Sequence, residues 1–222
     1  MTAAPPKHLV WDWNGTLLDD LRLVVDATNA SLATCGGPVV TADEHRRDYR
    51  RPISAYYAHV LGRAITEEEF ALLDGAFHHA YRAGLATCGL VSDALTALAT
   101  WPGTQSLLSM WFHAELVVAV ERYGIAARFA RVDGLRGAIG GGHKEAHLIA
   151  HLDALGVAGA DTVLVGDSLD DAHAAAAVGA RCVLYAGGFT DPPALHATGL
   201  PVASSLVEAV ELAAAQPAPR AS

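Results

Sequence analysis

The 222 residues fit one sizeable domain, or one domain carrying a smaller insert. An apolar content of 52% supports a real core, while a net charge of −9 argues against nucleic acid or an anionic membrane as the main partner and leaves a small anionic substrate open. No apolar run approaches bilayer-spanning length, residues 1–7 lack the apolar core of a signal peptide, and Cys35, Cys88 and Cys182 have no metal-ligand spacing, so they read as buried free thiols in a reducing cytoplasm.

In chain order, residues 7–11 read as a short apolar strand that delivers Asp12 to a turn, followed by Asn14-Gly15-Thr16. The region 18–91 behaves differently. It carries helical periodicity at 21–34, 41–50, 53–61 and 67–83 and no convincing strand, and Thr66 is expected to cap its last helix with Glu69 reaching back. Residues 93–100 form a helix returning to the sheet. Strands then follow at 104–110, weakly at 129–133, at 162–165, at 181–185 and at 201–203, with helices at 114–123, 144–155, 171–178 and 205–214 between them. Strands alternating with helices indicate a parallel sheet covered on both faces, and the helical block after the first strand suggests a cap over the strand ends. The tail 216–222 is Pro/Ala-rich and reads as frayed.

If the strands are parallel, Asp12, Ser109 and Asp167 end neighbouring strands and face one crevice, where open α/β sheets bind ligands. Ser106 leaves the register of Ser109 open by a turn. Asp171 follows Asp167 by four residues, and Lys144, one of only two lysines, follows Gly140-Gly141-Gly142-His143 at a helix start. Close carboxylates repel unless a cation lies between them, and Mg²⁺ suits an oxygen-lined site of this kind. A serine hydroxyl can donate to a phosphoryl oxygen, and a lysine can offset charge developing in phosphoryl transfer.

The segments Asp12-Trp13-Asn14-Gly15-Thr16-Leu17, Ser109, Lys144 and Gly166-Asp167-Ser168-Leu169-Asp170-Asp171 resemble, in order and spacing, the four motifs of the haloacid dehalogenase-like (HAD) superfamily. Within it, the chain is most similar to phosphoglycolate phosphatase-like hydrolases. The resemblance implies an α/β fold with a Rossmann-like parallel sheet, helices on both faces and an inserted α-helical cap, divided as 1–17 and 92–222 for the core and 18–91 for the cap. It implies Asp12 as nucleophile and Mg²⁺ ligand, Thr16 and Ser109 as phosphate contacts, and Lys144 as the neutralising cation. Asp167 and Asp171 complete the metal site, to which residue 14 offers its backbone carbonyl. The implied activity is Mg²⁺-dependent hydrolysis of a small phosphorylated metabolite, with no nucleic-acid or membrane partner.

Asn14 departs from the family pattern, which places an acid–base aspartate there. An amide cannot shuttle a proton, and such help is worth about 10²–10⁴-fold in rate. Turnover is therefore expected to be slower, restricted to good leaving groups, or assisted by another group such as His45, His59, His113 or His143. The alternative is a catalytically degenerate relative that binds a phosphorylated ligand or partner. A phosphonoacetaldehyde hydrolase needs a cap lysine, which residues 18–100 lack; a β-phosphoglucomutase-like isomerase needs the missing acid; a dehalogenase has little use for Asp167.

Simpler readings apply elsewhere. Asp167 and Asp171 can be helix-start acids, and Asp170 reads as solvated. His78-His79 and His173 read as packing or surface residues. The cluster Arg46, Arg47, Arg50 and Arg51 reads mainly as a solvated face paired with Asp43, Glu44 and Asp48, with Arg50 or Arg51 the candidate for an anionic contact. Trp11 reads as core, and Trp13 is open between core and substrate.

Overall fold

The computed structural model describes residues 7–137 and 142–215. Gly140 and Gly141 of the expected flexible approach to Lys144, and the tail 216–222, lie outside them. The first strand β1 (His8–Trp11) is followed by β2 (Leu18–Asp19), α1 (Leu21–Ala33), α2 (Ala42–Asp48), α3 (Ile53–Leu61), α4 (Glu67–Gly84), β3 (Gly89–Leu90) and α5 (Ala94–Thr100). The second half runs β4 (Thr104–Phe112), α6 (His113–Arg122), β5 (Val132–Leu135), α7 (Glu145–Leu155), β6 (Thr162–Gly166) and α8 (Leu169–Ala177). It ends with β7 (Arg181–Tyr185), α9 (Pro192–His196), β8 (Val202–Ala203) and α10 (Leu206–Ala215).

Six strands form one parallel sheet in the order β5-β4-β1-β6-β7-β8. Trp11 lies opposite Leu107 on one side and Val165 on the other, so the residues just beyond these strand ends converge. Alternation along β1 supplies both faces of the core. Leu9 and Trp11 pack with Leu98, Leu116 and Val210 of α5, α6 and α10. Val10 packs on the other face with Leu148, Leu152 and Ala175 of α7 and α8. This is the expected Rossmann-like α/β arrangement, with a helical insert after β1 that has its own small core of Leu32, Val40, Tyr56, Tyr57 and Leu73.

The region 18–91 does contain strands, contrary to expectation. β2 and β3 pair antiparallel, Leu18 with Leu90 and Asp19 with Gly89, and tie together the entry and exit of the insert. Two-residue strands are too short to show periodicity, which explains the miss. Thr66 caps α4 by accepting from the Glu69 N–H at 3.2 Å, while the Glu69 carboxylate takes a fork from Arg63 at 2.5 and 2.9 Å. Of the three cysteines expected to be buried, only Cys182 is; Cys88 is half-buried and Cys35 exposed.

Beneath the sheet, Ser106 Oγ lies 2.8 Å from both His8 Nε2 and His151 Nε2, and His151 Nδ1 lies 2.7 Å from Asp133. Ser106 is thereby committed to the core. Ser109, expected to end its strand, lies within β4, which runs on to Phe112 with an irregular register after Leu108. Burial, with the charge of His151 adding to it, pushes His8 down to about 4. Between the ordinary histidine value and about 4 the unfolded chain takes up a proton that folded His8 refuses, so stability present above pH 6.5 is lost as pH falls towards 4. On going from pH 7 to pH 4.5, His8→Gln should lose about 2 kcal/mol less stability than the parent chain. Urea unfolding at the two pH values measures the difference, and equal losses contradict it.

Candidate active site

Asp12 follows β1 and is held by its N–H donating to Val165 O at 2.9 Å. The backbone then turns through Gly15 at φ +72°, where a Cβ would come within 2.7 Å of the Asp167 carboxylate, so glycine is required on both grounds. Lys144, at the start of α7 and only 3% exposed, donates Nζ to Asp12 Oδ1 at 2.5 Å and also to Asp171 Oδ1. The helix-start reading of Asp171 is correct as well. Its Oδ2 accepts from Ser168 N at 3.1 Å and Ser168 Oγ at 2.6 Å, closing a capping box on α8. Asp171 therefore anchors a helix with one oxygen and Lys144 with the other.

Asp167 accepts from Thr16 Oγ1 at 2.9 Å and from Phe189 N at 2.6 Å. Gly188 lies so close that a Cβ there would sit 2.2 Å from Asp167 Oδ2. The carboxylates of Asp12, Asp167 and Asp171 each place an oxygen within 4.8 Å of the others, all buried. One lysine faces these three acids. Burial, reinforced by Asp171, raises Asp12 despite Lys144; burial, then Asp12 and Asp171, raises Asp167 well above the carboxylate range. Burial opposes charge on Lys144, but Asp12 and Asp171 outweigh it and hold the amine above the ordinary lysine value. An oxygen-only, acid-rich donor set with uncompensated negative charge fits a hard divalent cation such as Mg²⁺.

Asn14 is fixed rather than free. Its Nδ2 donates to Asp20 Oδ2 and to the Tyr81 hydroxyl, both at 2.8 Å, while its Oδ1 accepts from Ser109 Oγ at 3.3 Å. Tyr81 also donates to Asp20 at 2.6 Å, and Gly15 N donates to its other oxygen at 2.8 Å. Burial pushes Asp20 up to about 6, with these hydrogen bonds pulling the other way. Thr16, expected to face phosphate, is fully buried with its hydroxyl committed to Asp167.

Asp170 is not solvated. It accepts from Lys144 N at 2.9 Å, lies 2.8 Å from His143 Nδ1, and pairs with Arg51 Nε at 3.7 Å. Arg51 also donates to Gly142 O at 2.9 Å and lines the crevice beside Asp12 and Lys144. Arg47 and Arg50 pair with Asp48, while Arg46 donates to the Gly187 and Gly188 carbonyls and tethers the cap to the loop after β7.

Of the histidines considered, His143 is held by Asp170, His59 by Asp48 at 3.4 Å, and His113 lies by Arg136 at 3.2 Å. His173 lines a neighbouring depression with Arg50. His45 is buried in the cap with Nδ1 2.9 Å from the Tyr56 hydroxyl. His78 packs against Trp111 and Phe112, and Trp13 packs in the core against Tyr123. Sequence reasoning missed Asp20, Tyr49, Tyr81 and Phe189. The adjacent pair Asp19-Asp20 was the one visible signal, since a second acid in a turn after a buried strand invites the question of its partner.

A HAD-hydrolase-like family model matches residues 141–209. A solved predicted phosphatase from Clostridium acetobutylicum superposes with a TM-score of 0.81 at 16% identity, covering 94% of this chain and 98% of that one. The chain has the haloacid dehalogenase-like fold. A haloacid dehalogenase-like family hydrolase from Streptococcus pneumoniae gives 0.80 at 16% identity, covering 93% and 97%. A predicted phosphoglycolate phosphatase from Haemophilus somnus gives 0.70 at 18%, also covering 93% and 97%. No curated protein matches the chain. This HAD-like fold spans nearly the whole of each neighbour, insert included. No helix among the described residues is long and apolar enough to cross a membrane.

Proposed function

We propose that the chain is a Mg²⁺-dependent phosphatase acting on a small phosphorylated metabolite in the cytoplasm, with no nucleic-acid or membrane partner. The observation that carries this reading is the buried cluster of Asp12, Asp167 and Asp171 around Lys144 at the ends of β1 and β6. Asp12, Asp167, Asp171 and the residue 14 carbonyl would hold the ion, which supplies charge neutralisation for the phosphoryl oxygens. Lys144, fixed between two carboxylates, favours the charged form of Asp12 against burial and orients it. Asp12 attacks phosphorus, the ester P–O bond breaks, and the resulting aspartyl-phosphate is hydrolysed by water. Ser109 turns its hydroxyl to a phosphoryl oxygen, while Thr16 serves the site through Asp167. The helical region 18–91 acts as the cap and excludes bulk water.

With an amide at position 14 the leaving oxygen departs without an acid from that position, so turnover favours esters of acidic alcohols. Hydrolysis of 4-nitrophenyl phosphate with and without Mg²⁺, beside a panel of metabolite esters, tests the reading. Activity absent from both the parent chain and Asp12→Asn favours the degenerate binder that Asn14 alone supports.

The surroundings of Asn14 shape what its replacement does. Asn14→Asp alone would set a second carboxylate 2.8 Å from the Asp20 oxygen, so one of the two must keep a proton. The double change Asn14→Asp with Asp20→Asn restores a donor–acceptor pair with the groups exchanged. We expect the double variant to raise kcat on poor leaving groups by about 10²-fold or more, and the single variant to raise it far less. Steady-state rates on an alkyl phosphate decide this, and a double variant no faster than the parent contradicts it.

A further inference from the structure

Beside the crevice lies a cavity of about 100 Å³ that shares Asn14, Tyr49, Arg51, Met110 and Phe189 with it. An ester whose phosphorus faces Asp12 therefore has this space next to it. Aromatic residues line it, chiefly Tyr56, Phe77, Tyr81 and Trp111. Asp74 lines it too, an acceptor-only group with a side chain 13% exposed, and His78 Nε2 lies 3.2 Å from Asp74 Oδ1. His45, 2% exposed, also lines it, and its Nε2 has no hydrogen-bond partner among the described residues. Burial first, then Arg46, pushes His45 down to about 4, so the ring is neutral at pH 7. Arg51 is the one lysine or arginine lining the cavity among the described residues, and it is already engaged by Gly142 O and Asp170.

These groups discriminate between leaving groups by charge. A carboxylate would meet Asp74, with no uncommitted lysine or arginine to receive it. An ammonium meets the Asp74 carboxylate and a lining of aromatic rings, both of which can attract a cation. The volume is somewhat below the roughly 150 Å³ cavity that admits benzene, so the body is a short chain rather than a large ring system.

We propose that this cavity is the leaving-group subsite and takes a compact amino-alcohol phosphate, its alkyl body against the aromatic walls and its ammonium at Asp74. This rests on the phosphatase reading above. The test is kcat/KM of the full chain with Mg²⁺ on three esters of matched length: 4-aminobutyl, n-pentyl and 3-carboxypropyl phosphate. The amine should exceed the alkyl ester by about tenfold or more, and the carboxylate should be slowest. Asp74→Asn should bring the amine-to-alkyl ratio close to one, and Asp74→Glu should retain part of it. Equal or reversed preference in the parent chain overturns the subsite while leaving the phosphatase reading intact, as does an unchanged ratio in Asp74→Asn. Failure to hydrolyse any ester, 4-nitrophenyl phosphate included, overturns both.

Discussion

Asp12→Asn is expected to abolish Mg²⁺-dependent hydrolysis of 4-nitrophenyl phosphate, a fall of about 10⁴-fold or more of the kind seen when a nucleophile is removed. The substitution is close to isosteric, and the geometry around it favours a folded product. The backbone N–H of residue 12 still donates to Val165 O, and Lys144 keeps Asp171. Loss of rate with retained stability would therefore report chemistry rather than unfolding. The side-chain amide can neither attack phosphorus nor offer the cation a charged oxygen. Removing one of the three buried carboxylates also relieves their mutual repulsion, so in the absence of Mg²⁺ the variant should unfold no more easily than the parent chain. Thermal unfolding alongside the rate measurement checks both halves. A variant keeping a tenth of parental activity removes Asp12 from the chemistry.

The fold was legible because its strands are buried on both faces. Residues 8–11, 162–166 and 181–185 are apolar runs without alternation, bounded by turn residues, as parallel strands between helical layers must be. Asp12 and Asp167 were legible for a related reason, since a charged residue directly after such a run must sit at a strand end. What the sequence could not reveal is the second partner of each group. Asp170 looks solvated by itself; it is buried because Arg51 and His143 arrive from segments distant in the chain or adjacent only across α7 and α8. Thr16 has the composition of a phosphate contact, but its χ1 is settled by Asp167, which lies 151 residues away. Asn14 reads as a lost acid, whereas folding surrounds it with Asp20, Tyr81 and Ser109, a set in which an amide satisfies donors and acceptors together. The α9 helix was missed because Pro192-Pro193 breaks any periodic pattern, although proline is well suited to a first helical turn.

Lys144→Met is expected to cost more stability than any surface substitution, and to cost it in a pH-dependent way. The lysine is 3% exposed, and its two partners, Asp12 and Asp171, are 7% and 1% exposed. Methionine fills much of the volume but leaves both acids buried without their cation, a type of change that costs about 3–5 kcal/mol. The sign of the pH effect follows from the carboxylates. Without the ammonium the folded-state pKa of Asp12 rises further, so the folded variant retains a proton that the unfolded chain has released. Its stability then falls as pH rises through the raised value, and the deficit relative to the parent chain should be larger at pH 8 than at pH 5. The parent has the same bias at this site, because burial already raises Asp12, but a smaller one, because Lys144 stays charged throughout that range. Mg²⁺ gives an independent check. A cation bound among Asp12, Asp167 and Asp171 stabilises the folded state by mass action, and it should recover more stability in Lys144→Met than in the parent, since it then offsets charge that nothing else offsets. Urea unfolding at pH 5 and pH 8, each with and without Mg²⁺, measures all four terms. A variant as stable as the parent at pH 8 without Mg²⁺ would show that Lys144 is not what offsets the buried charge at Asp12 and Asp171.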